Sequence, residues 1–264
     1  MWEFKTLKQN AWNVLKKFGY WTPFLVCLVT SLVAGGSSGG SSAASSSGSY
    51  EEGETSFLDS IIPGFENLME DPTFQAIFIG TIIIICLFAI VFALAWGAFL
   101  SGPIVVGKNR FFMEHRAYGS KFTKLFWGFG CGSYLNIVKV MFWREIKIAL
   151  WTLLFIIPGI IKTYEYFMVP YILAENPNMK SEDVFELSKQ MTKGEKMSIF
   201  LLQLSFIGWM LLCILTCGIG YFFLNPYMEA TYAELYQVMR EKAKAYNFPC
   251  SEKLTGFYPE NEQQ

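Results

Sequence analysis

The chain holds one histidine, His115, set among Arg110, Glu114 and Arg116. A histidine-rich metal centre is therefore excluded, and in that charged company a solvated His115 is expected. There is no phosphate-binding Gly-Lys-Ser/Thr loop, no nucleophile elbow and no zinc-ligand cluster. Cys213 and Cys217 are four apart on one helical face, but no histidine or carboxylate stands beside them, so they read as small residues packing between helices. These gaps predict no enzyme, no catalytic residue, no metal and no cofactor. Charge is also scarce, at 16% of residues with a net of −1, and the basic residues are split among short segments. No continuous basic face exists for nucleic acid. None of the six cysteines lies in the one long polar segment expected outside a membrane, so no disulfide framework is indicated.

What the sequence has in excess is apolar surface, at 53% hydrophobic and 17% aromatic residues, above the usual range of soluble domains. It is concentrated in runs. Phe74 to Leu100 and Met197 to Met228 each lack a charge, and a helix crosses the hydrocarbon core in about 20 residues. The first run reads as one span and the second as two. Trp21 to Ala34 is shorter, a length that fits a signal-peptide core as well as a short span. The long amphipathic lead before it, with Leu7, Ala11, Val14, Leu15 and Phe18 at helical spacing, argues for the span.

Charge bias sets orientation. From Gly35 to Asp71 there is no Lys or Arg, and Gly/Ser composition passes into Glu51, Glu52, Glu54 and further acids. Such a segment buries no core and belongs outside by the positive-inside rule. Lys5, Lys8, Lys16 and Lys17 hold the N-terminus inside, and Lys108 to Lys124 follow the second span. A third apolar segment, Val138 to Ile157, meets Pro158-Gly159 as a helix stop. Only a hairpin there returns Lys180, Lys189, Lys193 and Lys196 to the cytoplasm. A turn at Thr216 to Gly220 does the same for Arg240, Lys242 and Lys244.

The expected architecture is an all-α, polytopic transmembrane bundle of about six spans in three helical hairpins, forming one membrane domain over residues 1–264. It has a cytoplasmic amphipathic helix at 1–20 and an external Ser/Gly-rich acidic loop at 35–73. Cytoplasmic segments follow at 103–133 and 176–196, with interfacial helices at Lys121 to Phe129 and at Ser181 to Lys193. The tail, 240–264, is also cytoplasmic. Ser181 is expected as an N-cap, and Val184, Leu187 and Met191 form an apolar stripe along the inner leaflet. A threefold pattern supports the hairpins: an amphipathic segment, a span, a turn and a second span begin near Trp2, Lys121 and Ser181. Such repeats occur in transporter folds and equally follow from duplication of helical hairpins.

The candidate site is the set of charges this topology forces into or near the bilayer: Lys147, Glu229, Arg144, Lys162 and Glu165. Glu229 and Lys147 fall near mid-depth and are expected to pair, because a charge at the bilayer centre costs at least ~2.5 kcal/mol. Arg144 and Glu145 lie one turn nearer the cytoplasm. Lys162 and Glu165 form an i, i+3 pair at the outer end of the fourth span. Pro226, one turn before Glu229, frees a backbone carbonyl in the helix. These charges fit either structural ion pairs or a proton- or cation-coupled site.

Five segments carry a family resemblance: Ile156-Ile-Pro158-Gly159-Ile-Ile-Lys162-Thr-Tyr164, Tyr171-Ile-Leu-Ala-Glu175-Asn176-Pro177, Ser188-Lys-Gln-Met-Thr-Lys193-Gly194, Ser205-Phe206-Ile-Gly208-Trp209, and Pro226-Tyr227 with Thr231. On these the chain resembles an uncharacterised bacterial integral-membrane family, domain of unknown function 975. The resemblance implies a bacterial cell membrane and supplies no activity. It is similar in layout to membrane domains found beside glycerophosphodiester phosphodiesterases, without the phosphodiesterase domain. The expected function is a non-enzymatic scaffold, sensor or envelope-maintenance factor with the lipid bilayer as its partner, both termini cytoplasmic. A small transporter or lipid-handling protein is the alternative, its solute or protein partner unspecified.

Overall fold

The computed structural model describes residues 2–34, 71–215 and 219–257; every regular element among them is helical and none is a strand. The chain is all-α, as its periodicity predicts. The expected loop up to position 70, the turn at 216–218 with Cys217, and tail residues 258–264 lie outside the described residues. The chain divides into two compact units, Gly39–Trp96 and the remainder. The first contributes α3 (Pro72–Trp96), which carries no charge. It starts at Pro72 because Asp71 accepts hydrogen bonds from the Thr73 N–H (2.9 Å) and hydroxyl (2.6 Å), while proline at the first helical position loses no bond.

In the larger unit, α1 (Phe4–Phe18) and α2 (Trp21–Ala34) precede a π-helical turn, Gly97–Ser101, and α4 (Gly102–Tyr118). α1 buries Leu7, Ala11 and Leu15, part of the expected stripe, against α11 (Ile219–Ala245). The packing runs lengthwise. Trp2 donates to Glu195, whose other oxygen pairs with Lys242 of α11, at one end; Trp12 meets Tyr227 edge-on, and the Tyr20 hydroxyl donates to the Phe223 carbonyl at the other. The sequence expects α1 to be an interfacial amphipathic helix; the structure adds that α11 is its apolar partner, leaving Lys5, Gln9, Asn13, Lys16 and Lys17 exposed.

The segment expected as an interfacial helix is a 3-10 turn, Phe122–Phe126, and a short helical turn, Trp127–Gly130, folded onto α4. Gly107 permits that approach: a Cβ there would sit 2.8 Å from the Leu125 carbonyl carbon. α5 (Tyr134–Leu154) and α6 (Ile156–Glu165) then form a helical hairpin. The helix stops at Leu154 rather than at Pro158-Gly159, for a reason that lies in the proline. Pro158 has no N–H for the Leu154 carbonyl four residues back, and its ring would clash there, so α5 ends at that residue. Proline is tolerated in the first turn of α6. Phe155 makes the turn alone in extended backbone, its N–H donating to Trp151 and its carbonyl accepting from Gly159. The arms cross closely at Gly159, where a Cβ would lie 2.7 Å from the Cα of Thr152.

The expected fourth span is interrupted at Tyr166–Met168, after which Pro170 sits in the first turn of α7 (Val169–Glu175). In α8 (Ser181–Thr192) Ser181 is the first helical residue rather than the cap, which is Lys180 without a side-chain bond. The stripe Val184, Leu187 and Met191 is buried inside the protein against α6, α7 and α11, not turned to a leaflet. α9 (Lys196–Leu204) continues past Ser205 and Phe206 into α10 (Ile207–Leu215). Together, Lys196–Ile214 is the one run among the described residues that is by itself long and apolar enough to cross a membrane.

Because Gly159 opposes backbone and Gly208 faces open space, Gly159→Ala should lower stability by about 1–3 kcal/mol through overpacking. Gly208→Ala should be neutral or stabilising. Thermal unfolding of the two purified variants checks the contrast.

Candidate functional site

α4 is the helix around which the site is built. Thirteen residues from Gly102 to His115 are buried, on every face, yet they include Lys108, Asn109, Arg110, Glu114 and His115. A charge removed from water must find a partner, and Lys108, Arg110 and Glu114 each do. The Lys108 ammonium meets the Glu229 carboxylate of α11 at 2.7 Å, with side chains 2% and 4% exposed. Arg110 donates Nε to Glu114 (2.7 Å) and a terminal nitrogen to the Ala174 carbonyl (2.8 Å), and its guanidinium lies over the Trp127 ring at 4.1 Å. Lys124 stands 3.5 Å from the other Glu114 oxygen. At the end of α4, Arg116 pairs with Glu234 of α11 at 2.7 Å.

Glu229 thus has a partner, but it is Lys108 and not Lys147. The reason is topological: α4 packs along α11, whereas α5 makes no extensive contact with it. Lys147 instead rests over the Phe185 ring of α8 at 3.6 Å and flanks Tyr166. Arg144 donates to the Tyr166 carbonyl at 3.2 Å and pairs with its neighbour Glu145. Lys162 and Glu165 form the expected i, i+3 pair at 2.8 Å. Glu165 also binds Lys196, at 2.8 Å. That contact ties the end of α6 to the start of α9, a partner for Glu165 that the sequence did not name. The five candidates therefore fall into two places, Glu229 in the α4–α11 core and the other four at the base of the α5–α6 hairpin.

Around the Lys108–Glu229 pair lie Pro226, which frees the Phe222 carbonyl, and the buried Asn225, whose amide reaches Ser31 of α2 at 3.5 Å. Tyr232 and Cys27 are buried nearby. Such a pair fixes helix register when closed and would carry a proton only if opened. Among the described residues no group of three His, Cys, Asp or Glu side chains is placed to hold a metal ion.

Sequence reasoning missed a further buried acid, Glu175 at the end of α7. It accepts from the Tyr236 hydroxyl (2.8 Å), from Arg240 (2.8 and 3.0 Å) and from the Gly256 N–H (2.7 Å). The tail is thereby clasped onto the helices, with Leu254 buried and Phe257 against Tyr236. Glu175 lies in the Ala-Glu-Asn-Pro stretch quoted above, which was the available signal. Lys108 had one too, since with Asn109 and Arg110 it forms a polar triplet between apolar Pro103–Gly107 and Phe111–Met113.

His115 is 2% exposed rather than solvated. Its Nδ1 accepts from the Ser120 N–H at 3.2 Å, and its ring stacks on Phe111 and meets Phe18 edge-on. Burial lowers its pKa below the ordinary 6.5, against opposing contributions from the Ser120 and Gly19 backbone.

Fold and contacts define a helical protein whose interior charges are neutralised across helices. The chain belongs to the family described as protein of unknown function (DUF975), which matches residues 63–243. The match takes in Lys108, Glu165, Glu175 and Glu229 but neither α1 nor the clasped tail. No curated protein and no solved structure matches the chain.

Two predictions follow from burial. Replacing either Lys108 or Glu229 alone by Met strands a buried charge and should cost ~3–5 kcal/mol, whereas the double change should recover much of the loss; denaturation in detergent of the two singles and the double measures the coupling. For His115 the folded pKa is depressed, so its contribution is full above pH 6.5 and is lost as pH falls below that value. The wild type should therefore lose more stability than His115→Phe between pH 7.5 and 5.5, read as the difference in their melting shifts.

Proposed function

We propose that this chain is an integral protein of the cell membrane acting as a non-enzymatic scaffold, sensor or envelope-maintenance factor. Its apolar segments form three hairpins, the six-arm arrangement implied by the sequence, and both termini are cytoplasmic. The bilayer is its solvent partner. The observation that carries the scaffold reading is the closed Lys108–Glu229 contact, 2.7 Å long and almost fully buried. A coupled transport site needs a charge that exchanges with water, and this one is held dry against its counter-ion.

Membrane residence rests on the apolar run Lys196–Ile214 and on large side chains such as Leu153, Ile157, Leu211 and Ile214, all more than half exposed. Soluble monomers rarely leave contiguous apolar patches of such extent. Among the described residues one helix meets the length criterion unaided; a second candidate is the pair Phe122–Gly130 and Tyr134–Leu154, bent by 94°.

A transporter or lipid-handling protein is the second reading, favoured by one feature, the proline-interrupted helix one turn from an interior acid. The two readings separate at Glu229→Gln, which keeps shape and removes charge. In a deletion strain with an envelope or solute phenotype, the scaffold reading expects a folded Glu229→Gln chain to complement, and the transport reading expects a folded chain that does not. Reporters fused after Ser47 and near Gly218 should be external, and those after Ala117, Lys189 and Phe248 cytoplasmic. A cytoplasmic signal at Ser47 overturns the orientation.

A further inference from the structure

The α5–α6 hairpin contains its own depth gauge. Glu165, the last residue of α6, is bonded to Lys196, the first residue of α9, so the base of the hairpin and the start of the crossing run lie at one level. Lys147 on the other arm is at that level too, since Lys147 and Lys162 flank the same Tyr166 ring at 5.8 and 5.7 Å. From this common floor the three helices rise by different amounts. Lys196–Ile214 has 19 residues, which at 1.5 Å per residue is about 28 Å and close to a full hydrocarbon thickness of ~30 Å. α6 has 10 residues, about 15 Å, and Lys147 to Leu154 rises only about 10 Å. Tyr164 and Gln203, hydrogen-bonded at 2.7 Å, hold α6 alongside α9.

Above the floor the hairpin is apolar and uncovered, from Leu150 through Ile161, with Leu153 86% and Ile157 73% exposed. At the floor stand Arg144, Lys147, Lys162 and Lys196 against Glu145 and Glu165, a surplus of positive charge. The apex suits a low-dielectric surrounding. Its single turn residue, Phe155, has both backbone polar groups bonded, and Pro158 removes one of the donors that a helix start leaves open.

We propose that α5–α6 is a wedge that enters one leaflet only. Leu153–Ile157 lies among acyl chains near the bilayer centre, and Arg144, Lys147, Lys162 and Lys196 stand at the phosphates of anionic phospholipids. The proposal rests on the membrane residence argued above and leaves its orientation unchanged, because a re-entrant hairpin returns the chain to the side it came from. It replaces two of the six crossings and removes the need to place Lys147 in mid-membrane.

The test uses the full chain with an environment-sensitive fluorescent amino acid incorporated at Leu153 or, one turn nearer the floor, at Leu150, both exposed. The protein is reconstituted in phosphatidylcholine–phosphatidylglycerol vesicles. Phospholipids spin-labelled at acyl carbon 12 should quench position 153 at least twofold more than those labelled at carbon 5, with the ratio reversed or levelled at 150. Iodide on either side should quench neither position appreciably. Iodide quenching at 153 from the face opposite the tail means a complete crossing and overturns the wedge. Absence of both lipid and iodide quenching means protein covers the apex, such as a second copy, and also overturns it. A chain extracted from vesicles by alkaline carbonate would overturn membrane residence itself, an outcome distinguishable from the other two.

Discussion

A helix buried along most of its length that carries four charged side chains has only one way to be stable, which is for each charge to meet its counterpart as the helices close. α4 is that helix, and the Lys108–Glu229 contact is its anchor. Desolvating the two ions costs several kcal/mol each and is offset only by tight contact. The geometry of α4 and α11 is therefore specified far more sharply than apolar packing alone would require. Arg116–Glu234 repeats the constraint further along the same two helices, and Arg110 extends it to α7 through the Ala174 carbonyl. Glu175 then ties α7 to α11 and to the tail. One network of buried acids thus joins elements far apart in the chain.

Around this polar centre the outer surface is divided. α1 covers one length of α11 and turns lysines and amides outward, whereas α9, α10 and the α5–α6 apex turn out leucine, isoleucine and phenylalanine. The same molecule offers a wet face and an oily one. At the boundary Lys8 of α1 reaches the Ser205 carbonyl and the Phe206 ring, an amphipathic side chain spanning both environments as snorkelling lysines do. Burial lowers its pKa from the ordinary 10.5.

Much of this was legible in the sequence. Helical periodicity in α1 marked Leu7, Ala11, Val14, Leu15 and Phe18 as its apolar stripe, of which Leu7, Ala11 and Leu15 are buried, charge-free runs marked α3 and α9–α10, and a proline located the α5–α6 hairpin within a few residues. The i, i+3 spacing of Lys162 and Glu165 was sufficient to pair them. These readings succeed because they depend on residues close along the chain, where helix geometry fixes who meets whom.

The errors share the opposite cause. Depth counted along each span made Lys147 and Glu229 neighbours, but two residues at equal height meet only if their helices are adjacent, and adjacency is decided by packing. His115 was assigned to water because its sequence neighbours are charged, while the rings of Phe18 and Phe111 that enclose it come from two different helices. Glu175 stood in a recognisable motif, but nothing local named its partners Arg240 and Gly256, separated from it by 65 and 81 positions. The sequence by itself determined that the chain is helical, where its apolar faces lie and which charges needed neutralising. Only the tertiary structure decided which opposite charge does so, because the energy of a buried ion pair depends on through-space distance, and helix periodicity carries no information about that between one helix and another.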